Sequence, residues 1–178
     1  AINSASSCMS RRWPIHKFAE LIDMLSMSFR VKVLIVSDVI HDAISKELVS
    51  LTKTRPIDLS GRFNLSELAS LFKRCSLVIS NDSGPVHMAV AVKTPVISIF
   101  GRNQPGLGPV RWRPLGDSDV FLHKKTDCAP CLAHDCVNNF KCLEAISVEE
   151  VFACAARLLN RSQQEIRVAE QQTTRRVG

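Results

Sequence analysis

"SLVISNDSGPVHMAVAVKTPVISIFG", residues 76–101, decides how this chain folds. An apolar, β-branched run (76–80) stops at Asn81, Asp82, Ser83 and Gly84, and Pro85 then opens a helix-period segment of small residues. A second apolar run, "PVISIF" (95–100), follows directly. Strand, turn, helix and strand in that order specify a parallel pair joined by a crossover. Pro suits the first helical position because its missing N–H would be unpaired there in any case.

The same alternation extends in both directions. "VKVLIV" (31–36), "IDL" (57–59) and "DVFL" (119–122) read as strands, and "AIN" at the front reads as the end of another. One helix is expected from Pro14 to about Ser28, with Ile15, Phe18, Ile22 and Leu25 on one face. A second covers about 42–53, on Ile44, Leu48 and Leu51. Asn64 with Glu67, and Ser147 with Glu150, have the spacing of capping boxes and mark two further helix starts. Strands alternating with helices predict an α/β fold, a doubly wound parallel sheet of Rossmann-like type.

At 178 residues the chain fits one domain, able to bury roughly 70% of its unfolded surface. Residues 1–160 are expected as that domain and 161–178 as a tail, frayed or partner-dependent over its last dozen residues. The apolar runs fall far short of the ~20 residues a membrane-spanning helix needs. Net charge is +6, from 23 basic and 17 acidic residues, which favours an anionic partner: a nucleotide, a phosphorylated glycan, a membrane surface or nucleic acid. The sequence has no Tyr, and single-stranded nucleic acid held by stacking is not expected. All seven glycines lie at or after Gly61, so the first strand–helix turn lacks a G-x-G-x-x-G fingerprint; a G-x-x-x-x-G-K-[ST] loop is absent as well.

In doubly wound sheets ligands bind beyond the carboxyl ends of the strands. Three polar turns belong there: "NSASSCMSRR" (3–12), "SDVIHD" (37–42) and "SNDSGP" (80–85). The third has the makings of an anion site. Free amides at a helix start attract negative charge, the Ser83 hydroxyl adds a donor, and Gly84 admits a phosphate close to the backbone. His87, in the first helical turn, is placed to reach the same anion. Asp82 is expected as an exposed ligand group. The plainer alternative makes Asp82 or Ser83 a helix cap and His87 an ordinary surface residue.

These residues carry a resemblance. Asp82, Ser83, Gly84 and His87 match the D-[ST]-G-x-x-H motif of glycosyltransferase family 9, the ADP-heptose:lipopolysaccharide heptosyltransferase type. "RRWPIHKFAELIDML" resembles its K-R-W-P segment, "FGRNQPGLGP" its F-G-x-T-x-P loop and "CLEAISVEEV" its closing helix. The similarity covers about residues 2–160.

The resemblance implies the C-terminal, donor-binding half of a GT-B enzyme, with inverting, metal-independent sugar transfer from a nucleotide-sugar. A glycolipid acceptor and the general base would be held by an N-terminal acceptor domain not included in this chain. It implies a cytoplasmic location with peripheral membrane contact. It places Arg11 on the diphosphate in the position of a family Lys, and Phe63 beside adenine through its backbone. Asp82 would orient the sugar, and Ser83, Gly84 and His87 would hold the diphosphate. His41 stands where the family has a carboxylate for the ribose, Ala5 replaces a close-approach Gly, and Asn103 replaces the Thr of the F-G-x-T-x-P loop.

"CAPCLAHDCVNNFKC" (128–142) holds Cys128, Cys131, Cys136 and Cys142, four of the seven cysteines. Their spacing is compatible with zinc or an iron–sulfur cluster, while reduced structural thiols are the favoured expectation. Two alternatives to the enzyme remain at this point: a module that binds nucleotide-sugar without turning it over, and a basic metal- or nucleic-acid-binding interaction domain.

Overall fold

The computed structural model describes residues 1–128 and 131–177, with side chains described up to Gln164 except that of Gln163. Six parallel strands form one sheet: β1 (Ile2–Asn3), β2 (Leu34–Ile35), β3 (Ile57–Asp58), β4 (Val78–Asn81), β5 (Val96–Phe100) and β6 (Val120–His123). Their order across the sheet is β3-β2-β1-β4-β5-β6, with every neighbouring pair parallel. This is the doubly wound, Rossmann-like order, whose direction of winding reverses between β1 and β4. The ladders of β2 and β3 are shorter than the apolar runs that announced them.

Among the described residues seven α-helices connect and cover the strands: α1 (Ile15–Ser28), α2 (Asp42–Leu51), α3 (Leu65–Lys73), α4 (Gly84–Ala91), α5 (Pro109–Trp112), α6 (Lys141–Glu144) and α7 (Val148–Val177). Both capping boxes form. In α3 the Glu67 N–H donates to Asn64 Oδ1 at 3.0 Å, and the Asn64 N–H donates to Glu67 Oε2 at 2.9 Å. In α7 the Ser147 N–H donates to Glu150 Oε2 at 3.0 Å, and the Glu150 N–H to Ser147 Oγ at 3.2 Å. Segment 161–178, expected as a tail, runs as part of α7 to Val177.

Side chains alternate along each strand, so each face of the sheet builds its own core. On one face Ile35, Ile79, Ile97 and Ile99 pack with Phe18, Leu21 and Ile22 of α1, Leu48 of α2, and Val151 and Ala155 of α7. On the other, Val36, Val78 and Val96 pack with Phe72 of α3 and with Val86 and Ala89 of α4. β5 is buried along its whole length, which fixes the turns at its carboxyl end firmly in place.

Candidate functional site

The winding reversal brings the turn after β1 against the turn after β4, and Asn81 locks them together. Its side-chain amide donates to the Ser4 carbonyl at 2.7 Å, and its Oδ1 accepts from the Trp13 backbone N–H at 3.0 Å. Trp13 is itself a buried peg, donating from its indole Nε1 to the Ile146 carbonyl at 3.0 Å and meeting Phe18 edge-on at 4.9 Å. Between these anchors the chain makes a short 3-10 turn, Met9–Arg11, that presents Arg11 at the strand ends. Arg12 points elsewhere, its Nε donating to the Ser6 carbonyl at 2.7 Å.

A cleft of about 420 Å³ opens where these turns meet. Five residues singled out from the sequence line it: Arg11, His41, Phe63, Ser83 and Gly84. Its floor is apolar towards Val36, Phe63 and Met88, and polar towards Asn3, Ser6 and Arg11. Such a division suits an amphipathic ligand with a flat apolar end and an anionic one.

At the start of α4 the Gly84 N–H is left without an intrahelical acceptor, Pro85 has no N–H, and the Val86 N–H donates back to the Ser83 carbonyl at 3.1 Å. A Cβ added at Gly84 would meet nothing within 4 Å, so the chain's own packing does not require glycine there. The Ser83 hydroxyl turns inward. It donates to the Asn81 carbonyl at 3.1 Å and accepts from the Asn3 amide at 3.0 Å, and it makes no cap bond to α4. Ser83 thus lines the cleft while its hydroxyl is held by the strand ends.

Asp82 differs from expectation, being buried at 5% exposure rather than open to solvent. Its Oδ2 lies 3.9 Å from Arg11 Nε and 3.6 Å from Arg102 Nη2. Burial pushes the Asp82 carboxyl upward in pKa, against the opposing pull of Arg11, Arg102 and His87. His87 is exposed and leaves the cleft, its ring 5.7 Å from that of Trp112. Trp112 in turn lies under the Arg111 guanidinium at 5.1 Å.

The turn after β2 holds a carboxylate as well as His41. Asp38 lines the cleft, accepts from the His41 N–H at 2.9 Å and stands 2.6 Å from His41 Nδ1. This turn thus brings a carboxylate to the cleft three residues before the histidine.

A family model for glycosyltransferase family 9 (heptosyltransferase) matches residues 1–141. The chain belongs to glycosyltransferase family 9. It is 34% identical over 149 residues to lipopolysaccharide heptosyltransferase 3 of Escherichia coli K12, a match spanning 83% of this chain and 42% of the relative. The solved family 9 glycosyltransferase of Veillonella parvula superposes with a TM-score of 0.74 at 26% identity, over 90% of this chain and 46% of that one. The E. coli ADP-heptose lipopolysaccharide heptosyltransferase II shares the fold, with a TM-score of 0.74 at 20% identity over 91% of this chain and 46% of the other. The chain spans under half the length of these relatives.

In this family 9 chain Asn103 faces away from the cleft. It lines a second cavity, of about 320 Å³, with Cys128, Cys131, Cys136, Cys142 and His123. All four thiols are free, and burial is the main cause that pushes Cys142 upward in pKa. Asn138 donates to Cys128 Sγ at 3.0 Å, and the Phe140 N–H to Cys136 Sγ at 3.4 Å. Among the described residues no group of three His, Cys, Asp or Glu is placed to hold a metal ion.

Three site residues escaped the sequence. Asn81 and Asp38 sit inside segments already singled out, but only their long-range partners reveal what they do. Arg102 occupies the unspecified position of the F-G-x-T-x-P loop, where no motif draws the eye.

Proposed function

We propose that the chain is the donor-binding half of an inverting glycosyltransferase that moves a sugar, most simply heptose, from a nucleoside diphosphate to a glycolipid core. The observation that carries this is the unhindered approach to the backbone at Gly84, in a cleft that Arg11 also lines. The base would lie against Phe63, the ribose near Asp38 and His41, and the diphosphate at Gly84. The acceptor hydroxyl would attack the anomeric carbon from the face opposite the diphosphate. As the bond from that carbon to the diphosphate oxygen breaks, the departing charge is met by the Gly84 N–H and Arg11, with Asp82 orienting the sugar. These groups act electrostatically, without a metal, and the cysteines serve as reduced structural thiols. The general base and the acceptor site would come from the other half of the enzyme, working at the cytoplasmic face of the membrane. The relatives' names, which specify heptosyl transfer and ADP-heptose, support this reading.

Calorimetric titration of ADP, UDP, GDP and their sugars tests it. ADP binding in the millimolar range or tighter, weakened ten- to hundredfold by Arg11→Ala while adenosine binding is unaffected, is the expected result. Equal ADP affinity for wild type and Arg11→Ala would remove Arg11 from the site. Failure of every nucleoside diphosphate to bind would overturn the assignment.

A further inference from the structure

Asp82 faces two guanidiniums, Arg11 and Arg102, and this small cluster carries one positive charge in excess. Arg102 is only 4% exposed; the Asp82 carboxylate lies 3.6 Å from its Nη2, and Arg11 and Cys8 also act on it electrostatically. Both ion pairs are too long to be hydrogen bonds. The buried Nε–H groups of Arg11 and Arg102, and Asp82 Oδ2, are all left without a hydrogen-bond partner. Burying a guanidinium with no hydrogen-bonded counter-ion is costly, and a further anion within reach would lower that cost. The Nε–H and Nη groups of a guanidinium fit phosphate oxygens as a fork.

Position says which part of a ligand that anion would be. Read across the sheet as β3, β2, β1, β4 and β5, the carboxyl-end turns carry Phe63, His41, Arg11, Gly84 and Arg102 in that order. Neighbouring strands are about 4.8 Å apart, so Arg102 lies beyond Gly84 by about one strand spacing. A nucleoside seated at Phe63 and His41 puts its first phosphate near Gly84 and Arg11, and its second towards β5.

We propose that Arg102 is a second guanidinium of the anion site and binds the phosphate distal to the nucleoside, the one that carries the sugar. The nucleoside half of this assignment rests on the function proposed above; the anion half rests on the Arg11–Asp82–Arg102 cluster alone. Arg102 would thereby meet the charge that appears on the distal phosphate when the sugar leaves.

The test is calorimetry of the 178-residue chain with inorganic pyrophosphate, ADP and AMP. Arg102→Gln is expected to weaken pyrophosphate and ADP by roughly ten- to hundredfold and AMP by less than about threefold, since AMP lacks the distal phosphate. Arg102→Lys is expected to recover only part of the loss, and Arg157→Gln, on the exposed side of α7, is expected to change nothing. Should Arg102→Gln fold poorly by circular dichroism, the wild-type chain decides: its Arg102 Nε–H resonance is expected to move as pyrophosphate saturates. An unmoved resonance, or ADP and pyrophosphate bound equally by wild type and variant, overturns the proposal and leaves the donor-site assignment standing. Arg102-dependent binding of pyrophosphate without binding of any nucleotide does the reverse. Absence of binding by all three probes overturns both.

Discussion

Gly84 and Gly101 stand at the ends of neighbouring turns and are glycine for opposite reasons. A Cβ at Gly101 would lie 2.5 Å from the Ser10 carbonyl oxygen and 2.7 Å from Leu143 Cγ, so β5 ends where only a bare backbone fits. Gly101→Ala is expected to cost about 1–3 kcal/mol, the range of overpacking in a core, seen as a lower denaturation midpoint. Gly84 has empty space where a Cβ would go. Gly84→Ala is expected to keep or slightly raise stability, since Ala favours a helix, while ADP binding measured by titration falls because the methyl occupies the ligand's approach. A large stability loss in Gly84→Ala would count against the glycine being kept for a ligand.

Asp82 gives the site a pH signature. Its folded pKa is raised, chiefly by burial, so the folded state binds this proton more tightly than the unfolded chain does. Its contribution to stability is full below the unfolded value of about 3.9 and is lost as pH rises through the folded value. Denaturation at stepped pH is expected to show this decline in wild type and a flatter profile in Asp82→Asn. An identical slope in both would show that Asp82 titrates in the folded chain as it does in the unfolded one.

At the scale of elements, the site depends on how the turn after β1 is hung from the end of β4. One side chain, Asn81, satisfies the Ser4 carbonyl and the Trp13 N–H together, and it is wholly buried. Asn81→Ala would leave both groups unpaired, so a loss of about 1–3 kcal/mol is expected, with ADP affinity falling as Arg11 loses its fixed position. Asn81→Asp keeps an acceptor for Trp13 but sets a buried carboxylate oxygen against the Ser4 carbonyl, and a loss at least as large is expected near neutral pH. If Asn81→Ala lowers stability while leaving ADP affinity unchanged, Arg11 is positioned by something other than this tether.

Across the whole molecule, the core on the α1 face of the sheet reaches the turn after β1 through Trp13. Phe18 of α1 is fully buried, and its ring meets Trp13, two residues beyond Arg11. Phe18→Ala is expected to cost about 3–5 kcal/mol in chemical denaturation and to loosen ADP binding in the molecules that remain folded. Unchanged affinity would show that the turn after β1 holds its shape without support from α1.

The number of strands, their parallel pairing, the two capping boxes and the three carboxyl-end turns were legible because each is written in local periodicity or in residues three or four apart. Arg11, His41, Phe63, Ser83 and Gly84, singled out through the family resemblance, come to line one cleft. What neighbouring residues cannot encode is who meets whom across the winding reversal. The burial of Asp82 between Arg11 and Arg102, the inward turn of Ser83, the departure of His87 towards Trp112 and the placing of Asn103 among the cysteines all depend on such meetings. These are matters of desolvation and of charges brought together from distant parts of the chain. The local pattern of apolar and polar residues determined the sheet and where its open end lies; only packing β1, β4 and β5 side by side decided which charges share it.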